Sequence, residues 1–326
     1  MKLSKEQKKI LKKNSFDKYL PILTDADFLS SMFGLSFLKE LSKSRKGRKY
    51  YSKYMQLRFN FKRKVSIPFL TAVITTLCTL NCKNCCHYIP EYTKETHYPV
   101  IKLDDFKQDI NSLLKNIDEV GCFQISGGEP LICKDLPEMI EFLATKKQIK
   151  KIFLTTNCTI IPSDSLISAL KKFRVVVQIS DYRAVAKDKC HYNEIKKILQ
   201  ENKIKICAWE EDVKTTFRSM PEIFSDDTRD DSVLKEQYSN CTDARYTILC
   251  DGKLFNCPTC LHIYSNVSKI DGYVDVRNKN VTNEDYINFF SKHYTEYCKL
   301  CHRENLQYGF PVGEQVMTDC TPSRSS

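Results

Sequence analysis

Three closely spaced cysteines constrain this chain more than any other feature of its sequence. They are Cys78, Cys82 and Cys85, and they follow an apolar, strand-like run over residues 69–77. Thiolates this close together suit an iron–sulfur cluster or zinc, and a loop that leaves a strand commonly carries the chemistry of an α/β protein. Three thiolates leave one iron of a [4Fe–4S] cluster without a protein ligand, and an open coordination site usually means reaction rather than scaffolding. We therefore predict a reactive metal centre at this loop.

Beyond the loop, strand patterns alternate with amphipathic helix patterns. Each connection between two strands is long enough for a helix, which indicates a parallel sheet with right-handed crossovers and an α/β fold. The five predicted strands cover residues 69–77, 120–126, 152–155, 175–179 and 204–208.

The second predicted strand ends in Gly127-Gly128-Glu129-Pro130. Two glycines allow a ligand to approach the backbone closely, and a glutamate at the carboxyl end of a strand can accept hydrogen bonds from an ammonium group. Taken alone, this sequence is more often a simple turn, because glycine and proline mark turns in most proteins. Its position one strand–helix unit after the cysteine loop favours a binding role.

A second group of cysteines surrounds a predicted β-hairpin in the last third of the chain. The dipeptide Asp251-Gly252 favours a two-residue turn, so Cys241 precedes the first hairpin strand and Cys257 follows the second. Thiols on the two flanks of one hairpin lie close enough together to share a metal.

A helix predicted over residues 283–293 leads to a C-x2-C pair, Cys298 and Cys301. Together with the two cysteines that flank the hairpin, this pair can complete a metal site with four thiolates. Zinc bound by the same pair and by Cys257 and Cys260 is the alternative, since paired C-x2-C sequences often bind zinc.

Composition favours a cytoplasmic protein with metal clusters. Of the 326 residues, 16 are cysteine, and disulfide scaffolds with that many cysteines are mostly short and secreted. The start of the chain lacks the apolar region of a signal peptide, and no run of about 18 apolar residues predicts a transmembrane segment.

The positive charge is concentrated at the start of the chain. Residues 1–66 contain 18 Lys and Arg against 5 Asp and Glu, whereas the formal net charge of the whole chain is +11. Apolar residues recur there at helical spacing, which predicts a basic helical extension. Such an extension can contact an acidic partner, but a solvated lysine face is the commoner case, and we do not expect nucleic-acid binding.

The C-x3-C-x2-C triplet resembles the signature of the radical S-adenosylmethionine (SAM) enzymes, and the Gly-Gly-Glu-Pro turn resembles the stretch with which that family binds the methionyl amine of SAM. The resemblance implies a partial (β/α)6 barrel with any sixth strand in residues 209–235. The matching residues are Cys78, Cys82 and Cys85 for a [4Fe–4S] cluster, Gly127, Gly128 and Glu129 for the amine, and Ser180 for the ribose. Asn84 stands where the family often has an aromatic residue against the adenine.

The later cysteines resemble the twitch form of the auxiliary-cluster domain, a shortened relative of the SPASM domain. In that form one [4Fe–4S] cluster has four cysteine ligands, which here are Cys241, Cys257, Cys298 and Cys301. The implied organisation is a basic extension over residues 1–66, a radical SAM core over 67–236 and an auxiliary domain over 237–320.

The resemblance implies an oxidoreductase or maturase that cleaves SAM and uses the 5′-deoxyadenosyl radical to abstract a substrate hydrogen. Twitch and SPASM relatives imply the two-electron oxidation of a sugar or polyol, or of a peptide, with an electron donor such as flavodoxin or ferredoxin. A non-catalytic iron–sulfur or zinc binding module on the same barrel is the alternative, because motifs alone do not prove activity.

We expect anaerobically reconstituted protein to bind about eight irons and little zinc, because two [4Fe–4S] clusters are inferred from two thiol sets. Replacing Cys78, Cys82 and Cys85 together by Ala removes the ligands of one cluster only, so the iron content should fall by half. Elemental analysis measures both metals, and unchanged iron in the triple variant would refute this ligand assignment.

Overall fold

A mixed sheet of eight strands forms the centre of the protein, in the strand order β10-β9-β8-β1-β2-β3-β4-β5. The computed structural model describes residues 65–186, 188–209, 217–224, 229–241 and 243–316. The predicted basic extension lies outside the described residues except for its last two positions. No helix in the described ranges is long and apolar enough to cross a membrane.

The strands and helices are numbered in chain order. The strands are β1 (Ser66–Val73), β2 (Glu119–Ser126), β3 (Ile152–Thr156), β4 (Val176–Ser180), β5 (Lys205–Trp209), β6 (Phe217–Arg218), β7 (Glu222–Ile223), β8 (Thr247–Cys250), β9 (Lys253–Phe255), β10 (Val274–Asp275), β11 (Cys301–His302) and β12 (Tyr308–Phe310). The helices are α1 (Leu103–Asn116), α2 (Leu136–Ala144), α3 (Asp164–Lys172), α4 (Tyr192–Glu201), α5 (Asp231–Asn240), α6 (Pro258–Asn266), α7 (Asn283–Phe290) and α8 (Tyr297–Leu300).

Strands β1 to β5 are parallel neighbours in chain order, and helices α1 to α4 provide their crossovers. The apolar faces of these helices pack on one face of the sheet in a single large core. The predicted α/β fold, a partial radical SAM barrel, is therefore confirmed, with helices as the crossovers between parallel strands.

The sixth parallel strand lies outside the expected range. The described residues of 209–235 contain only the short strands β6 and β7, which pair antiparallel with β12 and β11. Strand β8 of the predicted hairpin instead pairs in parallel with β1 on its free edge. The hairpin extends the main sheet because the edge of β1 offers unpaired backbone groups. The domain boundary at residue 236 remains a prediction.

The hairpin between β8 and β9 has the turn that its sequence predicts. Asp251 and Gly252 have φ values of 44° and 69°, so both central residues are left-handed, as in a type I′ turn. A buried carboxylate on α1 fixes this turn to the rest of the protein. Asp109 accepts hydrogen bonds from the Gly252 amide (3.0 Å) and from Arg277 Nε (2.5 Å) and Nη2 (3.1 Å).

We expect Asp109→Ala to lower the free energy of unfolding by about 2 to 4 kcal/mol, because it leaves the Gly252 amide and the Arg277 guanidinium without their buried acceptor. Denaturant unfolding of the reconstituted protein measures this loss. The exposed Asp188 is the matched control, and Asp188→Ala should stay within about 0.5 kcal/mol of the wild type. Equal stability of the two variants would show that the Asp109 contacts contribute nothing.

Candidate functional site

The first cysteine loop leaves the carboxyl end of β1 and brings its three thiols together. Cys82 is buried, Cys78 and Cys85 are half-buried, and all three belong to one small cluster with Tyr182 and Phe217. The loop therefore lies at the edge of the sheet where parallel α/β proteins place their reactive groups.

Two side-chain amides from distant parts of the chain contact these thiols. Asn157 Nδ2 lies 3.5 Å from Cys78 Sγ, and Gln315 Nε2 lies 3.3 Å from Cys82 Sγ. Amide N–H groups that face a thiolate stabilise its negative charge and tune the metal bound to it. Gln315 was not found by sequence reasoning, because nothing in the local sequence connects it to the cysteine loop.

The electrostatics of this loop favour a bound metal. Burial raises the pKa of the Cys78 thiol to about 11 and that of Cys82 to about 12. A hydrogen bond with the Cys86 thiol lowers the pKa of Cys85. Coordination to iron deprotonates such thiols and offsets the cost of burying their charge. The three thiols and their amide donors therefore fit an iron–sulfur cluster.

The glycines of the Gly-Gly-Glu-Pro turn allow two backbone segments to lie in direct contact. A Cβ at Gly127 would lie 2.2 Å from the carbonyl oxygen of Thr75, and one at Gly128 would lie 1.9 Å from that of Leu77. The Gly128 amide donates to Thr75 O (2.8 Å) and the Glu129 amide donates to Leu77 O (2.9 Å). The turn is thus fixed to the base of the cysteine loop. The contact of both glycines with the SAM amine remains a prediction.

The Glu129 carboxylate is fully buried and already has three protein donors. It accepts hydrogen bonds from the amide of Asn157 (2.7 Å), from Thr156 Oγ1 (3.0 Å) and from the amide of Leu131 (3.0 Å). Burial raises the pKa of Glu129 to about 7, although these hydrogen bonds act in the opposite direction. Glu129 thereby fixes the position of Asn157 and, through it, the contact to Cys78. Its predicted contact with the SAM amine is still a prediction.

Ser180 ends β4 and is connected to the cysteine loop through Tyr182. Burial raises the pKa of Tyr182, and a hydrogen bond with Ser180 opposes this rise. The Tyr182 ring packs against the cysteine cluster, so Ser180 lies near the site, as expected for a ribose contact that remains a prediction. Asn84 has a φ of 59°, and the preference of asparagine for this left-handed region explains why it occupies that loop position.

One face of the parallel sheet carries a row of polar side chains below the cysteine loop. Gln124 accepts a hydrogen bond from Thr71 Oγ1 (2.9 Å) and donates to Thr155 Oγ1 (2.7 Å) and to Gln178 Oε1 (3.3 Å). These side chains come from four neighbouring strands, β1 to β4. The row gives this face of the sheet hydrogen-bonding groups above an apolar layer that contains Phe69.

The later cysteines surround a single cavity. Its thiols are Cys241, Cys257, Cys260, Cys298 and Cys301. The structure thus brings together the four predicted ligands, and it adds Cys260, whose Sγ lies 3.3 Å from Cys257 Sγ. Among the described residues, no group of three or more His, Cys, Asp or Glu side chains is arranged to hold a metal ion, so the cluster and the zinc alternative at this site both remain predictions.

Positive and polar groups of this cavity face the thiols. Arg303 lines the cavity and pairs with Asp243 at 2.8 Å. Burial raises the pKa of the Cys241 thiol, and the positive charge of Arg303 opposes this rise. Asn256 Nδ2 is buried in the cavity wall without a hydrogen-bond partner among the described residues. Thiolate-bound clusters are anionic and accept hydrogen bonds at sulfur, so this unpaired donor fits a cluster.

Arg229 holds the C-x2-C pair in place. It belongs to the acidic stretch of residues 225–231, whose composition predicts only a linker or surface loop. Its Nη2 donates to the carbonyl oxygens of Cys298 (2.9 Å), Lys299 (2.9 Å) and Cys301 (3.3 Å). These carbonyls end α8, where a cation is favourable. Sequence reasoning missed Arg229, because an arginine beside acidic residues carries no signal of a distant partner.

Tyr88 connects the two cysteine sites. Its amide donates to Cys85 O (2.8 Å), and its hydroxyl lies 2.8 Å from Thr259 Oγ1 in the wall of the second cavity. The Tyr88 ring is fully buried and stacks on His262 at a centroid distance of 4.1 Å. Tyr88 therefore contacts a residue of each cysteine site directly.

Residues 72–180, which include the cysteine triplet, the Gly-Gly-Glu-Pro turn and Ser180, match the Radical SAM superfamily model. The chain contains a radical SAM domain. The predicted radical SAM domain is thus confirmed over residues 72–180, and with it a [4Fe–4S] cluster and SAM as the cofactors of that domain. The second cysteine site lies outside the matched residues, and a cluster there remains a proposal.

Curated relatives match about a third of the chain or less. The GTP 3',8-cyclase of Psychromonas ingrahamii is 38% identical over 104 residues, which are 31% of this chain and 28% of the cyclase. The probable GTP 3',8-cyclase of Methanococcus maripaludis is 42% identical over 84 residues, which are 26% of each protein. The chain therefore aligns with less than a third of the length of these relatives.

A solved structure matches a longer part of the chain. The structure of BtrN in complex with AdoMet and 2-DOIA is similar with a TM-score of 0.50 and 13% sequence identity. The similarity covers 73% of this chain and 94% of BtrN. At this identity the two proteins share a fold.

We expect Arg229→Met to remove iron from the second site and to leave the radical SAM site intact. The substitution keeps an unbranched side chain but deletes the donors that hold three carbonyls of the C-x2-C pair. Iron content should fall towards half of the wild-type value, while the EPR signal that responds to SAM persists. The exposed Arg174 provides the control Arg174→Met. Full iron content in Arg229→Met would show that the pair holds its geometry without this arginine.

Proposed function

We propose that this protein is an enzyme that cleaves SAM reductively and oxidises its substrate by two electrons. In this proposal Cys78, Cys82 and Cys85 hold the cluster that binds SAM. A second [4Fe–4S] cluster lies in the cavity of the hairpin site, with Cys241, Cys257, Cys298 and Cys301 as ligands. Zinc at the second site is the alternative, and iron analysis distinguishes the two.

The observation that carries the proposal is the link between the two thiol sites through Tyr88. A second cluster used only to brace the fold has no need to lie beside the reactive one, whereas electron transfer between the reacting substrate and an acceptor needs a short distance. The buried ring of Tyr88 and its hydrogen bond to Thr259 support a short, dry separation.

The chain's own residues bind and orient the reactants. Asn157 and Gln315 direct amide N–H groups at the cluster ligands, and Glu129 holds Asn157 in place. Tyr182 packs against the cysteine loop and covers part of it. Such fixed donors cost no reorganisation when the reaction occurs.

Cys78, Cys82 and Cys85 would hold the cluster that binds SAM, and Cys241, Cys257, Cys298 and Cys301 would hold the second cluster. With an electron donor such as flavodoxin or ferredoxin, these groups would supply the one-electron chemistry for SAM cleavage and for a two-electron oxidation of the substrate. The substrate thereby loses two electrons and two protons in total, which converts an alcohol into a carbonyl.

We propose a sugar or polyol as the substrate. The polar row of Gln124, Thr155 and Gln178 supports this choice, because amides and hydroxyls can bind the hydroxyl groups of such a molecule. The BtrN structure, which contains AdoMet and 2-DOIA, has the same fold. Peptide oxidation is the second candidate. The similarity to GTP 3',8-cyclases covers less than a third of either protein and does not identify the substrate.

We expect dithionite-reduced protein to convert SAM into 5′-deoxyadenosine, with more product when an aminocyclitol or sugar panel is added than when a peptide panel is added. Chromatography with mass spectrometry measures 5′-deoxyadenosine and the loss of two hydrogens from the substrate. Glu129→Gln should weaken SAM binding at least tenfold without loss of iron, because it removes a charge beside the SAM site. Glu138→Gln, at an exposed position of α2, is the control.

Replacing Cys298 and Cys301 by Ala tests the electron-accepting role of the second site. The double variant should still form 5′-deoxyadenosine but should give no oxidised product. If it makes oxidised product at the normal rate, the second site is structural only. If wild-type protein with its full iron content forms no 5′-deoxyadenosine, the protein is a non-catalytic iron–sulfur module.

A further inference from the structure

A short C-terminal segment, Gly313–Val316, lies directly on the first cysteine loop. The Lys83 amide donates to Glu314 O (2.6 Å), and the Val316 amide donates to Asn81 O (2.7 Å). These bonds form an antiparallel bridge between the loop and the segment. The segment therefore extends the backbone hydrogen bonding of a loop that otherwise leaves the sheet.

The side chain of Gln315 uses both of its polar atoms at this contact. Its Oε1 accepts a hydrogen bond from the Asn81 amide (2.7 Å). Its Nε2 donates to Gly313 O (2.6 Å) and lies 3.3 Å from Cys82 Sγ. An amide held at both ends has one orientation, so the N–H is directed at the sulfur before any metal binds.

Gly313 allows the segment to pack this closely. It has a φ of +76°, and a Cβ there would lie 2.3 Å from Cδ1 of Tyr182, the residue that packs on the cysteine cluster. Lys83 and Glu314 add an ion pair at 3.8 Å on the exposed side. Backbone bonds, a glycine contact and a fixed amide thus all bring Gln315 to Cys82.

We propose that Gln315 is a positioning residue for the cluster ligand Cys82, and that its N–H···S hydrogen bond raises the reduction potential of the SAM-binding cluster. The proposal rests on the cluster that the radical SAM domain holds at the triplet. Reduction adds one negative charge to the cluster, and part of that charge lies on the thiolate sulfurs. A donor at sulfur stabilises the reduced form more than the oxidised form, so it favours reduction.

The effect is large enough to measure. Only the difference between the strengths of the Gln315 hydrogen bond in the reduced and oxidised forms shifts the potential. The upper limit of that difference is the full contribution of a hydrogen bond to a charged group, about a tenfold change in an equilibrium constant. Loss of the donor should therefore lower the ratio of reduced to oxidised cluster by up to about tenfold at a fixed applied potential. For a one-electron couple a tenfold change equals about 59 mV.

The test compares two variants with one control. Gln315→Met removes the donor without adding charge. Gln315→Glu keeps an oxygen that can accept from the Asn81 amide but has no N–H for Cys82. Gln307→Met makes the same change at an exposed glutamine elsewhere in the C-terminal part. Replacing Cys298 and Cys301 by Ala in every protein removes the signal of the second site.

The readouts are iron content, EPR-monitored redox titration and hydrogen exchange of the Lys83 amide. We expect both Gln315 variants to keep their iron, to titrate at a more negative potential and to show an altered EPR signal, whereas Gln307→Met matches the parent. An unchanged potential in both Gln315 variants overturns the proposal. Loss of iron from the Gln315 variants also overturns it, because Gln315 would then be needed for cluster assembly. Rapid hydrogen exchange of the Lys83 amide in the parent overturns it as well, because the segment would then not be bound to the loop.

These outcomes are separable from failure of the proposed function. If the parent protein forms no 5′-deoxyadenosine but holds a redox-active cluster, the proposed enzymatic function is wrong. The redox titration of the Gln315 variants then still tests the role of Gln315. A parent that cleaves SAM and whose Gln315 variants titrate identically to it contradicts the role of Gln315 alone.

Discussion

Two backbone hydrogen bonds join the Gly-Gly-Glu-Pro turn to the base of the cysteine loop, and no Cβ fits between the two segments. The carbonyl oxygens of Thr75 and Leu77 occupy the space that side chains at Gly127 and Gly128 would need. This contact holds the end of β2 against the loop after β1. The positions of the thiols and of Glu129 follow from it, because each lies within a few residues of the contact on one of the two segments.

From this contact a chain of hydrogen bonds extends to the metal ligands. Glu129 holds the backbone of Asn157, and Asn157 directs its amide at Cys78. Gln315 does the same for Cys82 from the other end of the chain. Buried thiols have raised pKa values and are costly as thiolates, so metal binding and oriented N–H donors stabilise the same charged form. Asn157 and Gln315 thus orient the thiols that we propose as metal ligands, without being ligands themselves.

The second cysteine site depends on contacts that join the last third of the chain to the rest. Asp109 on α1 holds the hairpin turn, Arg229 holds the carbonyls of the C-x2-C pair, and Tyr88 joins the first loop to α6. Strand β8 continues the main sheet along the free edge of β1. These contacts hold the second cavity against the first loop and the main sheet.

The sequence by itself determined the parallel sheet and the hairpin turn at Asp251-Gly252, and it predicted which cysteines lie together in each site, because apolar periodicity, left-handed turn residues and cysteine spacing are local properties. Only the tertiary structure decided which distant residues complete the sites. Gln315 lies 233 positions from Cys82, and Arg229 lies 69 positions from Cys298. A glutamine or an arginine can pair with many groups, so its partner depends on how the chain folds. The sequence around β8 likewise predicts only its antiparallel pairing with β9 in the hairpin. Its parallel pairing with β1, which adds a sixth parallel strand to the sheet, depends on the edge of β1 that the tertiary structure leaves unpaired.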